Sequence, residues 1–175
     1  TNDTCFVLAN GMAGNKRITT AGADYAVFAK ALTYMAGELA KMLARDGEGA
    51  TKFVTIEVTG AKTKSDAVAI ARKISTSNLL KCAIFGHDPN WGRIAAAAGS
   101  CGVAFDPGRV DIYLGGIKVL ARGGSISYDL KKVEKLFRAK EVSIRFELKS
   151  GAARATAWTC DFSKEYVAIN SEYST

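Results

Sequence analysis

A long helical pattern and an alternating strand pattern meet at Asp46-Gly47-Glu48-Gly49-Ala50-Thr51-Lys52, and this junction constrains the fold more than any other stretch. Upstream, apolar residues recur at Tyr25, Phe28, Leu32, Met35, Leu39, Met42 and Leu43, the spacing of one helix face. Thr19 or Thr20 can cap that helix, and its stripe reads as core. Downstream, Val54, Ile56 and Val58 alternate with Thr55, Glu57 and Thr59, as in a strand with one buried face. The connection between the two is short and carries one carboxylate, Glu48, with glycine on either side. Glycine past a helix is a stop signal, so Glu48 reads either as a solvated residue of that stop or as a carboxylate placed to grip an amine. The paired glycines also permit close approach of another group to the backbone.

The remaining chain alternates helical and strand patterns, which predicts an α/β (α+β) class. Residues 4–9 read as a buried strand, an odd first element that implies a chain beginning partway through a larger structure. A helix is expected from Thr63 to Ser75, a third strand over 79–85, a polar turn over 86–94 and a small-residue helix at Ala95–Ala98. Val110–Leu114 and Ile117–Ala121, joined by Gly115-Gly116, read as a hairpin. A short amphipathic helix follows at Leu130–Arg138. Glu141–Lys149 and Ala152–Asp161 read as a second hairpin turning at Ser150-Gly151, and the end of the chain carries the apolar residues Tyr166, Val167, Ile169 and Tyr173. The change in pattern near 105–125 suggests an α/β portion, residues 1–105, and a smaller β-rich α+β portion, residues 106–175.

A net charge of +7 raises nucleic acid as a partner, but the basic residues are dispersed from Lys16 to Lys164. The densest group, Lys131, Lys132, Lys135 and Arg138, lacks interleaved aromatics and reads as a solvated helix face, so no nucleic acid is expected. No apolar run reaches the ~18 residues of a membrane span, and no basic leader opens the chain, which fits the cytoplasm. Cys5, Cys82, Cys101 and Cys160 form no C-x-x-C pair and are expected as buried free thiols. With His87 the only histidine, no metal site is expected.

Neither a glycine-rich dinucleotide fingerprint nor a phosphate-binding loop is present. The polar candidates are Glu48, Glu57, the His87–Arg93 turn and the end of the chain from Asn170 to Thr175. In the turn, Arg93 could hold a carboxylate bidentately, or Asp88, Asn90 and Arg93 could simply tie the turn down. Thr1 could act as an N-terminal nucleophile with its own amine as base, which would make an amidase or peptidase.

Four motifs in order carry a family resemblance. Thr1-Asn2-Asp3-Thr4 with Leu8-Ala9-Asn10-Gly11 resembles the S-T-N-D-T…A-N-G motif of the ornithine acetyltransferase family, the bifunctional glutamate/ornithine N-acetyltransferases of arginine biosynthesis. Asp46–Lys52 resembles its D-G-E-G-A-T-K motif, and Gly86–Ile94 its G-x-D-P-N-W-G-R-I motif. Trp158-Thr159-Cys160-Asp161 through Tyr166-Val167-Ala168-Ile169-Asn170 resembles its W-T-C-D…Y-V-x-I-N close. The resemblance implies a layered helix/sheet sandwich and transfer of acetyl from N-acetylornithine to glutamate through an acetyl-threonine. It implies no cofactor, with acetyl-CoA as a co-substrate in some members. Members cut themselves before the nucleophilic threonine, which Met-Leu follows. Thr1 is followed by Asn2-Asp3 and matches a later position, so no catalytic residue is expected in this chain. The expected partners are the α chain and the N-terminal part of the β chain, in an α2β2 assembly. Carried over by position, Glu48, Asn170 and Thr175 would bind substrate. Glu48 would meet the ornithine ammonium, and the other two the amino-acid end. Ser174 stands where the family often has arginine, and Cys82 where it has threonine.

Overall fold

The computed structural model describes residues 3–172, and the chain falls into two compact units, Thr1–Leu43 and Ala44–Thr175. The first unit holds an irregular stretch followed by nearly all of α1 (Ala23–Arg45). The expected strand at residues 4–9 does not form, and Phe6 and Leu8 are 78 % and 93 % exposed. A strand is stable only against a partner edge, and its unit offers none among the described residues. α1 forms as its periodicity predicts, but begins at Ala23, so Thr19 and Thr20 precede the cap position. Its stripe is also not core: no α1 residue is buried, and Tyr25, Phe28, Leu32, Met35, Leu39, Met42 and Leu43 are all exposed. Apolar periodicity reports that a face wants cover, and among the described residues of its unit none supplies it.

The second unit is built on one six-stranded mixed sheet in the order β4-β3-β2-β5-β1-β6. Its strands are β1 (Phe53–Ala61), β2 (Asp111–Leu114), β3 (Ile117–Ala121), β4 (Gly124–Ser125), β5 (Glu141–Glu147) and β6 (Ala153–Cys160). β1 runs parallel to β5, and every other pairing is antiparallel. One sheet therefore draws strands from both sides of residues 105–106. Val54, Ile56 and Val58 lie opposite Val142, Ile144 and Phe146, and all six belong to the buried core. α2 (Lys64–Ser75) adds Ala67, Ile70, Ala71 and Ile74 to that core. α4 (Trp91–Gly99) adds Ile94, Ala97 and Ala98, and α5 (Leu130–Phe137) adds Val133 and Phe137. The other sheet face carries Thr55, Glu57, Ser143 and Arg145, none of them buried. Lys131, Lys132, Lys135 and Arg138 are exposed around α5, the solvated face that the sequence suggests.

Three expectations in this unit are corrected. Residues 79–85 are not a strand but α3 (Asn78–Phe85). Ser77 caps it by accepting from the Leu80 N–H, and Leu80, Ala83 and Ile84 are buried at helical spacing while Leu79 and Cys82 face outward. A short apolar run is ambiguous between helix and strand, and the cap decides it. The turn expected through Ile94 ends earlier, at Asn90, which caps α4 by accepting from the Arg93 N–H. Finally, β5 and β6 are not a hairpin, because β1 lies between them. Their connection crosses the end of β1: Leu148 N–H donates to Thr59 O at 2.9 Å and Ser150 N–H to Gly60 O at 2.7 Å. Gly151 is required there, since a Cβ would come within 2.3 Å of Ala61 O. The cysteines are free, but Cys5 and Cys82 are exposed and Cys101 and Cys160 only half-buried.

Candidate binding site at the glycine turn

The turn after α1 is closed by the chain's own far end. Ala50 N–H donates to Gly47 O at 2.9 Å, and Gly49 has φ +64. That conformation favours glycine. A Cβ on Gly49 would also fall 2.5 Å from Tyr166 N, and one on Gly47 2.9 Å from Cys160 Sγ. The close approach that the two glycines permit is thus made by residues 160–166.

Asp161, directly after β6, is 3 % exposed and satisfies the start of β1. One carboxylate oxygen accepts from the N–H groups of Thr51 at 2.8 Å and Lys52 at 3.0 Å, and the other accepts from the Thr51 hydroxyl. Ser163, equally buried, donates its hydroxyl to Gly49 O at 2.6 Å. Ser163 Oγ in turn accepts from Tyr166 N–H at 3.2 Å, capping α6 (Lys164–Glu172). Sequence reasoning passed over Asp161 and Ser163 as site-building residues. Their only signal was an acid and a hydroxyl just before the last helical segment.

These contacts bring two of the sequence candidates together. Asn170, on α6, donates its side-chain amide to Glu48 Oε2 at 2.8 Å and to Tyr166 O at 2.9 Å. Both Glu48 and Asn170 are exposed. A carboxylate offers about four lone-pair sites, so the Asn170 contact leaves Glu48 able to accept from an ammonium. Thr175, the third candidate, and Thr1, the alternative nucleophile, lie outside the described residues.

The other candidates are placed elsewhere. Glu57 sits in mid-β1, opposite Arg145 in the β5 register, on the uncovered sheet face. In the 86–94 segment, Asn90 donates to Asp88 at 3.1 Å and Arg93 donates to Leu79 O at 2.7 Å. These residues tie α4 to α3, the structural alternative. His87, at φ +60, has its pKa lowered by burial and then by the positive charges of Lys52 and Arg138. Lys52 is buried with its ammonium 3.3 Å from Ala139 O. Its pKa is lowered by burial, which Asp161 opposes and Arg138 reinforces. Asp111, at the start of β2, is fully buried. Burial works against its charge, but hydrogen bonds from Lys118 at 2.7 Å, Lys149 at 2.6 Å and Arg122 N–H at 2.8 Å hold it well below the usual carboxylate range. Among the described residues, no group of three or more His, Cys, Asp or Glu side chains converges as metal ligands would.

The fold and site together define an α/β chain that presents a carboxylate–amide pair at a glycine turn. The whole chain, residues 1–175, matches the ArgJ family. It is 49 % identical over 175 residues to the arginine biosynthesis bifunctional protein ArgJ of Symbiobacterium thermophilum, covering all of this chain and 44 % of that protein. The Caldanaerobacter subterraneus protein of the same name is 46 % identical, again over 100 % of this chain and 44 % of the relative. The crystal structure of the Bacillus halodurans ArgJ protein superposes with a TM-score of 0.89 at 39 % identity, covering 94 % of this chain and 78 % of that one. The chain belongs to the ArgJ family. It spans less than half the length of these curated relatives.

Proposed function

We propose that this chain supplies amino-acid-binding groups to a glutamate N-acetyltransferase that moves acetyl from N-acetylornithine to glutamate. The observation that carries the reading is the Glu48–Asn170 contact at 2.8 Å, because these two of the three positions offered by the family resemblance converge from opposite ends of the chain. Glu48 accepts from the ornithine ammonium, and Asn170 with Thr175 bonds the amino-acid end. The acetyl carbonyl is attacked by a threonine hydroxyl outside this chain, forming an ester and releasing ornithine. The glutamate amine then attacks that ester, forming N-acetylglutamate and restoring the hydroxyl. No cofactor takes part, and acetyl-CoA is a candidate second acetyl donor, as it is for some members of the family.

The complete enzyme is an autocatalytically cleaved α2β2 assembly working in the cytoplasm. Two facts support a larger assembly: the relatives are more than twice as long as this chain, and the α1 stripe stands uncovered. No helix among the described residues is long and apolar enough to cross a membrane. In the complete enzyme, Glu48→Ala is expected to raise KM for N-acetylornithine about tenfold, the effect of losing a hydrogen bond to a charged group. An unchanged KM would remove Glu48 from the site.

A further inference from the structure

We propose that Thr51, Asp161 and Ser163 are positioning residues, a clamp anchored on the buried side chains of Asp161 and Ser163 that sets the separation of Glu48 and Asn170 and thereby the affinity for the diamino-acid substrate. The proposal rests on the functional reading above. Glu48 and Asn170 are 122 residues apart in sequence, on two different elements, and both are exposed. Their direct contact is one exposed hydrogen bond at 2.8 Å, while the bonds that join the two elements carrying them lie beneath it. The turn that carries Glu48 is bound to the segment that starts α6 at four points. These are the Thr51 N–H, the Thr51 hydroxyl and the Lys52 N–H on Asp161, and the Ser163 hydroxyl on Gly49 O.

The clamp does more than hold the sheet. The β1–β6 ladder already runs from Phe53 opposite Cys160 to Ala61 opposite Ala153. The clamp begins where that ladder ends and reaches toward the site, into residues that belong to no strand. Ser163 also caps α6, so one hydroxyl oxygen fixes both the Glu48 turn and the first turn of the helix bearing Asn170. Asp161 and Ser163 are each 3 % exposed, which excludes direct contact with a substrate at the exposed pair. Three donors on one carboxylate make charge-assisted bonds, which are strong and directional. The chemistry therefore suits fixed geometry more than reaction.

The test uses the complete enzyme carrying Thr51→Val, which keeps the side-chain shape and loses the hydroxyl, beside Thr51→Ser, which keeps the hydroxyl. Asp161→Asn and Ser163→Ala are added where they fold. Thr51→Val is expected to raise KM for N-acetylornithine roughly 3- to 10-fold with kcat changed less than about twofold. Thr51→Ser should stay near the parent. On a Glu48→Gln background, Thr51→Val should add little, because the group it positions is already lost. If Glu48→Gln raises KM and Thr51→Val does not, the clamp is refuted while the site reading stands. A full additional effect on the Glu48→Gln background also refutes it, since the clamp would then act on something else. If Glu48→Gln itself leaves KM unchanged, the site reading falls, and the clamp with it.

Discussion

Replacing Gly49 by alanine tests the packing beneath the site against a built-in control. Gly49 carries both a left-handed backbone, φ +64, and a close neighbour, Tyr166 N, 2.5 Å from where a Cβ would sit. Gly116, at the β2–β3 turn, carries the first without the second: its φ is +84 and nothing lies within 4 Å of its Cβ position. An alanine forced into left-handed geometry costs about 1–2 kcal/mol. The Gly49 contact is roughly 1 Å short of van der Waals separation, and relieving such overpacking costs about 1–3 kcal/mol. Gly116→Ala is thus expected to destabilise by about 1–2 kcal/mol and Gly49→Ala by about 2–5 kcal/mol. Urea unfolding of the complete enzyme measures both. The excess should appear locally, as roughly tenfold or faster hydrogen exchange at the Tyr166 amide in Gly49→Ala alone. Equal losses for the two variants, with Tyr166 exchange unchanged, would show that the turn does not bear on α6.

Two further outcomes follow from the charge and apolar distributions. Because the pKa of Asp111 is depressed in the folded state, the stability it confers is present in full above the ordinary carboxylate value. It is lost as pH falls through and below that value, toward the folded one. Urea unfolding between about pH 3 and pH 6 should therefore show a steeper acid decline for the parent than for Asp111→Asn, which is less stable at neutral pH. The exposed α1 stripe predicts that Leu32→Gln with Met35→Gln will make the isolated chain more soluble while weakening its recovery with the rest of the enzyme. Size-exclusion chromatography and copurification check this pair, and unchanged copurification would mean that the stripe is not an assembly face.

Much of this architecture is legible in the amino-acid sequence, and the failures share a cause. The period-2 pattern at Val54, Ile56 and Val58 marks β1, and the Gly115-Gly116 turn marks the β2–β3 hairpin, because both signals are local. Pairing order is not local, so two strands joined by Ser150-Gly151 looked like neighbours while β1 lies between them. Residues 79–85 were ambiguous because seven apolar-rich residues fit either period, and the Ser77 cap outside the run decided the matter. Glu48 stood out through its flanking glycines, and its partnership with Asn170 through family resemblance alone. Asp161 and Ser163 left almost no trace, since a buried carboxylate serving three donors looks the same in sequence as a solvated one.

The threading of β1 between β5 and β6 has a consequence during synthesis. When β1 leaves the ribosome, neither of its flanking strands yet exists, and the parallel partner emerges only after roughly 80 further residues. Until then, a strand with Val54, Ile56 and Val58 on one face offers two open edges to any passing chain. β1 is thus made before both of its neighbours and secured only once they follow, and anything that delays translation past residue 140 prolongs its period of greatest risk.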